Sequence, residues 1–327
     1  MVTTILQDRF GRRIDYLRLS VTDRCDLRCT YCIPEGFKGF NEPDDWLGSA
    51  EILRIAEVFV RLGVGKIRLT GGEPLTRRHI VEIAAGLGRL PGIEDLSLST
   101  NATQLARHAG ELRRAGVGRL NVSLDSLVPE RFARIARRDC LDQVLGGLMA
   151  ARREGFSPIK INMVVLDGVN LDEIDAMAAF CMRHGFVLRL IETMPMGSSG
   201  RDAGHVDLGP VRERLRKRFG LLDGLVKGNG PARYLQSADG AFSVGFITPI
   251  SQHFCAACNR VRLSADGTLF LCLGQDERVD LRALLRGGAS DRDLEGAIRG
   301  AIEMKPERHE FSEKPQQVLR FMSATGG

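Results

Sequence analysis

From residue 16 to residue 192, short apolar runs alternate with longer stretches in which apolar residues recur every three or four positions. The short runs, at 16–21, 66–70, 95–100, 119–124, 159–165 and 187–192, have the length and bounding residues of buried strands. The stretches at 49–62, 76–90, 103–115, 142–154 and 171–184 carry the period of amphipathic helices. The last of these is led by Asn170 as an N-cap, with Glu173 at the capping-box position. Repeats of this kind predict an α/β fold: a parallel sheet with helical crossovers, doubly wound or bent toward a barrel.

Beyond residue 222 the rhythm changes. Gly228-Asn229-Gly230-Pro231 reads as a turn cluster, and β-like runs follow at 232–236, 242–248, 259–263 and 268–273. A boundary is therefore expected between a β/α unit of residues 1–222 and a smaller β-containing unit of residues 223–327. The basic run from Arg212 to Arg218 sits among Val211, Leu215 and Phe219 at helical spacing. That pattern makes it the solvated face of a helix.

Polar residues collect where the strands end: Gly71-Gly72-Glu73, Ser99-Thr100-Asn101, Ser123-Leu124-Asp125 and Glu192-Thr193-Met194. In a β/α barrel that rim is where chemistry is built. Any one of these groups could simply begin a turn. Their recurrence after four strands points to a shared site. Lys160 and Arg189 are exceptions, lying inside or early in their strands.

Composition narrows the classes. Hydrophobic content of 43% and charged content of 27% suit a soluble globular chain. No apolar run approaches the ~20 residues of a membrane span. The first nine residues lack the apolar core of a secretory signal. A cytoplasmic setting is expected, where clustered cysteines favour metal over disulfides. The net charge of +5, without a stripe of basic and aromatic residues, argues against nucleic acid.

Six of the eight cysteines form two sets of three. Cys25, Cys29 and Cys32 are spaced C-x3-C-x2-C, and Cys255, Cys258 and Cys272 are spaced C-x2-C-x13-C. A thiolate trio is one ligand short of closing a tetrahedral ion or filling a cubane, and the open position suits a catalytic site. Asp266-Gly267 is a hairpin signal that would place Thr268 opposite Ala265 and Cys272 opposite Val261, beside the Cys255–Cys258 loop. Spacing alone leaves the second trio open between a zinc staple completed by His253 and an open iron–sulfur cluster. Arg260 and Arg262, two apart on that hairpin, share one face of a strand. Cys140 and Cys181 read as buried thiols, and His79, His108, His184, His205 and His309 suggest no constellation.

C-x3-C-x2-C with Tyr31 before the last cysteine, followed by Gly71-Gly72-Glu73-Pro74, resembles the radical S-adenosylmethionine (SAM) superfamily. The segments 17–25, 68–74, 121–127 and 254–262 and the Gly-Gly end resemble, within it, the GTP 3′,8-cyclases of molybdenum-cofactor biosynthesis. The resemblance covers nearly the whole chain. It implies a partial (β/α)6 barrel with a cluster-binding C-terminal unit, two [4Fe–4S] clusters on the two cysteine trios, and SAM as cofactor. It implies SAM contacts at Tyr31, Gly72, Ser123 and Met194. It implies GTP contacts at Arg18, Arg68, Ser99, Lys160, Arg189, Arg260 and Arg262, and a catalytic contribution from Gly326 and Gly327. The expected reaction takes hydrogen from C3′ of GTP with a 5′-deoxyadenosyl radical and joins C3′ to C8. Expected partners are an external low-potential electron donor, a second copy of the chain, and the cyclic pyranopterin monophosphate synthase that receives the product.

Departures from the pattern are Ala102 where glycine is usual, Asp26 where asparagine is common and Thr325 where isoleucine is usual. None removes a ligand. Two rival readings are a peptide-modifying radical SAM enzyme, which would carry more cysteines in its C-terminal extension, and a zinc-stapled nucleotide-binding module without catalysis.

Overall fold

Alternation along the first strands decides which side of the sheet takes the helices. Successive side chains point to opposite faces, so Leu17, Leu19, Ile67, Leu69, Leu96, Leu98, Leu120 and Val122 go to one side and form the core. The structure, a computed structural model, describes residues 5–40, 43–224 and 230–326. Gly228, Asn229 and Gly327 lie outside these residues.

The strands are β1 (Tyr16–Ser20), β2 (Lys66–Thr70), β3 (Asp95–Thr100), β4 (Arg119–Ser123), β5 (Ile159–Val164) and β6 (Val187–Ile191), followed by β7 (Leu222–Gly224), β8 (Arg233–Gln236), β9 (Ser243–Ile247), β10 (Arg260–Leu263), β11 (Thr268–Phe270) and β12 (Arg278–Asp280). They build one sheet in the order β12-β11-β10-β1-β2-β3-β4-β5-β6-β9-β8-β7. β1 to β6 are parallel and consecutive, with helices crossing between them. The sheet does not close, and the fold is a partial barrel. The later strands extend both edges: β10 runs parallel to β1, and β9 parallel to β6.

Two registers matter for the site. Arg18 lies beside Arg68 on one side and Arg262 on the other, which puts three guanidinium groups in a row on the polar face. Asn162 is paired with Arg189 in the same way.

The helices pack their apolar stripes on the outer face. Ser49–Arg61 buries Ile52, Ile55, Val58 and Phe59, and Leu105–Arg114 buries Leu105, Ala109 and Leu112. Gly209–Phe219 buries Val211 and Leu215, and its arginines face outward: Arg212 to Asp223, Arg214 and Arg218 to Asp175. The expectation of a solvated basic face holds. Pro129–Ala136 and Gly197–Asp202 form short helices that the apolar period had not marked. No helix among the described residues is long and apolar enough to cross a membrane.

Two local readings are corrected. A 3-10 turn at Leu171–Glu173 precedes the helix Ile174–His184, so Asn170 stands at the N-cap of the turn and Glu173 at that of the helix, and neither side chain makes a capping bond. Asn170 instead donates to the Asp125 and Val164 carbonyls at 2.9 Å, and Glu173 accepts from Ser126 Oγ at 2.7 Å. They tie the loop after β4 to the loop after β5. The hairpin of β10 and β11 is also one residue away from the expected register, pairing Arg262 with Phe270 and Leu263 with Leu269. Gly267 N–H donates to the Ser264 carbonyl at 3.0 Å, and Gly267 has φ +82°. The connection is therefore a three-residue loop ending in a left-handed glycine, not a two-residue turn. Continued two pairs beyond Phe270, this register would set Cys272 against Arg260 rather than Val261.

Candidate functional site

The first cysteine loop leaves β1 and is pinned from below. Arg28 and Thr30 N–H groups donate to the carbonyls of Ala136 and Ile135 at 3.1 and 3.0 Å. Within the loop, Cys32 and Ile33 N–H groups donate to the Cys29 carbonyl, and Leu27 N–H points at Cys25 Sγ at 3.3 Å. Asp26 accepts from Asn101 Nδ2 and Thr103 Oγ1, both at 2.7 Å. A carboxylate at this departure thus finds two donors, and Arg138 adds a third at 3.1 Å. Gly72 lies against the loop so closely that a Cβ would come within 2.3 Å of the Arg24 carbonyl, a position only glycine fills.

The strand ends close around this trio. One cavity is lined by Cys25, Cys29 and Cys32 together with Gly72, Ser99, Ser123 and Met194. Tyr31 also lines it, and its hydroxyl donates to Asp125 Oδ2 at 2.7 Å. Asp125 Oδ1 accepts from Val164 N–H at 2.8 Å. Glu73 is buried and accepts from Leu75 N–H, Thr100 Oγ1 and Asn101 N–H at 3.0, 2.8 and 2.6 Å. Burial raises Glu73 to about 7 and Asp125 to about 6 despite these bonds. Burial also pushes Cys32 up to about 12, and Cys25 and Cys29 rise as well, with Glu73 and Asp125 adding to the effect. The rim groups read from the strand ends do converge on one site.

The second trio has cationic neighbours instead. Cys255, Cys258 and Cys272 line a second cavity with Arg18, Arg68, Arg189, Arg260 and Arg262. Lys305, which the sequence reading missed, is buried at 1% exposure and donates to the Arg260 carbonyl at 3.0 Å and to the Leu271 carbonyl. Burial still raises Cys255 and Cys272, while at Cys258 Lys305 and Arg260 outweigh burial and bring the thiol to about 7. Arg12 was missed too. It bonds Asp8 at 2.6 Å and donates to the carbonyls of Cys255, Pro306 and Glu307.

The residues present fit iron–sulfur clusters. Each trio faces one cavity. Among the described residues, neither trio is gathered tightly enough for a single ion, as His253, Cys255 and His309 are. Burial makes bare thiolates costly, and bound iron is what offsets that cost. His309, read as unremarkable, lines the second cavity, with its Nε2 at 3.3 Å from His253 Nδ1. His205 is likewise not isolated, lying 3.6 Å from buried Glu192.

The cations carry the clearest message. Among the described residues, Arg18, Arg68, Lys160, Arg189, Arg260 and Arg262 have no carboxylate within ion-pair distance, whereas seventeen other lysine and arginine side chains do. Burial and mutual repulsion lower Arg262 to about 9 and Arg189 to about 10. Arg189 is held by Asn162 Oδ1 at 2.8 Å and by Asn121 Oδ1. Lys160 stands apart from the cavity wall, 3.4 Å from Tyr234 Oη. Tyr16 Oη, Arg18 Nε, Arg68 Nε and Ser99 Oγ are buried without a partner. Four such groups call for a polar ligand. The two cavities share Asn162, Ile191, Met194 and Met322, so they adjoin.

The C-terminal tail reaches this junction. Met322 lines both cavities, and the Gly326 carbonyl accepts from Arg262 Nη1 at 2.8 Å. Gly326 has φ +73°, and a Cβ there would meet Thr70 Cγ2 at 2.3 Å.

A partial β/α barrel with a three-cysteine loop beyond its first strand defines a radical SAM enzyme. Residues 19–181 match the Radical SAM superfamily, and residues 186–311 match Molybdenum Cofactor Synthesis C. The chain is 49% identical to GTP 3′,8-cyclase 2 of Pseudomonas aeruginosa, over 98% of each chain. It is 48% identical to the GTP 3′,8-cyclase of Ectopseudomonas mendocina, over 100% of each. The chain belongs to the GTP 3′,8-cyclase family. Among solved structures, Streptococcus suis SuiB shares the fold, with a TM-score of 0.60 at 15% identity, covering 89% of this chain and 69% of that one.

Proposed function

We propose that this chain converts GTP to (8S)-3′,8-cyclo-7,8-dihydroguanosine 5′-triphosphate, releasing methionine and 5′-deoxyadenosine, and so opens molybdenum-cofactor biosynthesis. The observation that carries the reading is the set of buried and half-buried cations without carboxylate partners beside a second thiol trio. A polyanion with a polar ring is the ligand such a wall accommodates, because guanidinium forks match phosphate oxygens in pairs.

Cys25, Cys29 and Cys32 hold the first [4Fe–4S] cluster, which when bound supplies the electron that cleaves SAM. Tyr31, Gly72, Ser123 and Met194 seat SAM in the cavity they line. Arg18, Arg68, Lys160, Arg189, Arg260 and Arg262 take the phosphates and base of GTP, with Ser99 offering its free hydroxyl from the neighbouring cavity. Cys255, Cys258 and Cys272 hold the second [4Fe–4S] cluster beside the base. Enclosure by the sheet excludes water from a site where a primary radical forms. We keep the division into a catalytic unit of residues 1–222 and a substrate-cluster unit of residues 223–327. An external low-potential donor, a homodimeric and cytoplasmic working form, and delivery of product to cyclic pyranopterin monophosphate synthase complete the proposal; the family resemblance supports them.

Equilibrium binding of GTP, GDP and guanosine to the anaerobically reconstituted protein tests this reading. GTP is expected to bind more tightly than GDP, and guanosine to lose most of the affinity. Equal affinity for guanosine and GTP would remove the role of the cation wall.

A further inference from the structure

We propose a divalent-metal site at His253, His309 and Cys255, of the class that takes zinc, which competes with the second cluster for Cys255. Their three ligand atoms lie within 4.8 Å of one another, and this is the one such group among the described residues. The two imidazole nitrogens, His253 Nδ1 and His309 Nε2, are 3.3 Å apart. Zinc–nitrogen bonds of ~2.0–2.1 Å in a tetrahedron set ligand nitrogens about 3.3–3.4 Å apart. The pair is therefore already at the spacing of two ligands on one ion. With zinc–sulfur bonds of ~2.3 Å, closing Cys255 onto that ion takes a movement of at most about 1 Å.

The surroundings support the set. His309 is buried at 5% exposure, and its backbone N–H donates to Cys255 Sγ, so ring and thiol move together. Outside the group, Phe311 N–H approaches His309 Nδ1 at 3.5 Å, and the Pro249 carbonyl lies against the ring. His253 is exposed and gives the ion a path from solvent. Neither histidine is among the residues assigned to SAM, GTP or the clusters. With the ion in place, Cys255 is withdrawn from its trio and the second cluster cannot form. The exchange rests on the assignment of Cys255 to that cluster, whereas binding of the ion does not.

The test uses the full-length chain with Cys25, Cys29, Cys32, Cys258 and Cys272 changed to Ser, so that Cys255 is the remaining thiol of both trios. Cobalt(II), titrated anaerobically, is the probe. One equivalent should bind with tetrahedral visible bands and a thiolate-to-cobalt charge-transfer band. Adding His253→Ala or His309→Ala should weaken binding at least tenfold. Unchanged binding in those variants, or none in the parent, overturns the site. Should the five-serine chain not fold, zinc absorption spectra of the iron-stripped wild-type chain replace it. Imidazole scattering that vanishes in the double histidine variant is expected, and its absence overturns the site. The holoenzyme, with both clusters loaded, should take no cobalt here. Cobalt binding as strong in the holoenzyme as in the stripped chain overturns the competition while leaving the ion site standing.

Discussion

Arg262 Nη1 donates to the carbonyl of Gly326 at 2.8 Å, fastening the end of the chain to the row of arginines on β1, β2 and β10. The tail thereby becomes a wall of the site. Replacing Gly326 with Ala sets a Cβ against Thr70 Cγ2 and strains a backbone at φ +73°. Gly326→Ala, or deletion of Gly326 and Gly327, should leave iron content and GTP affinity nearly intact and lower cyclisation sharply. Full turnover by the truncated enzyme, measured under argon, contradicts this.

Lys160 makes the affinity pH-dependent. Burial first, then Arg189, Arg119 and Arg68, lower it to about 7. An unfolded lysine titrates near ~10.4, so the unfolded chain binds more protons between these values. This group therefore makes the free protein more stable as pH rises from about 7 to about 10. Bound phosphate favours the charged amine. GTP binding above pH 7 should therefore take up a proton and weaken as pH rises. Calorimetry in two buffers of different ionisation heat reads that uptake directly. Lys160→Arg should abolish the uptake, and Lys160→Met should cost on the order of 1–3 kcal/mol of binding. A flat affinity from pH 7 to 9 in the wild type removes Lys160 from the phosphate site.

The two trios should be separable. Changing Cys25, Cys29 and Cys32 to Ala should remove about half of ~8 iron atoms and end SAM cleavage. Changing Cys255, Cys258 and Cys272 should remove the other half and chiefly impair GTP binding. Their surroundings add a second expectation. Glu73 and Asp125 face the first trio, Lys305 and Arg260 the second. The first cluster should therefore reduce at the lower potential, since neighbouring charge tunes cluster potentials. Spectroscopically monitored redox titration that finds the reverse order contradicts the electrostatic account.

Much of this arrangement was legible beforehand because it is local. Strands β2 and β3 were read to the residue, and the rim groups after β2, β3, β4 and β6 converge as their positions implied. Arg12 and Lys305 escaped because the carbonyls they tie together lie far along the chain, which no spacing rule marks. The cation wall carried a signal that went unused. Arg18, Arg68, Asn121, Lys160, Asn162 and Arg189 each stand between two apolar residues of their strand, the alternation of a sheet with a polar inner face. The departure at Ala102 also has a physical reading: its φ is +64°, a conformation that costs an L-residue about 1–2 kcal/mol and glycine nothing comparable. The buried Ala102 methyl repays part of that by contact with the core.

The most direct measurement follows hydrogen from C3′. The holoenzyme, reduced anaerobically with SAM and GTP deuterated at C3′, should yield 5′-deoxyadenosine carrying the deuterium, together with the 3′,8-cyclised nucleotide, and Cys25→Ser should yield neither. Cyclised product formed alongside unlabelled 5′-deoxyadenosine would contradict the account.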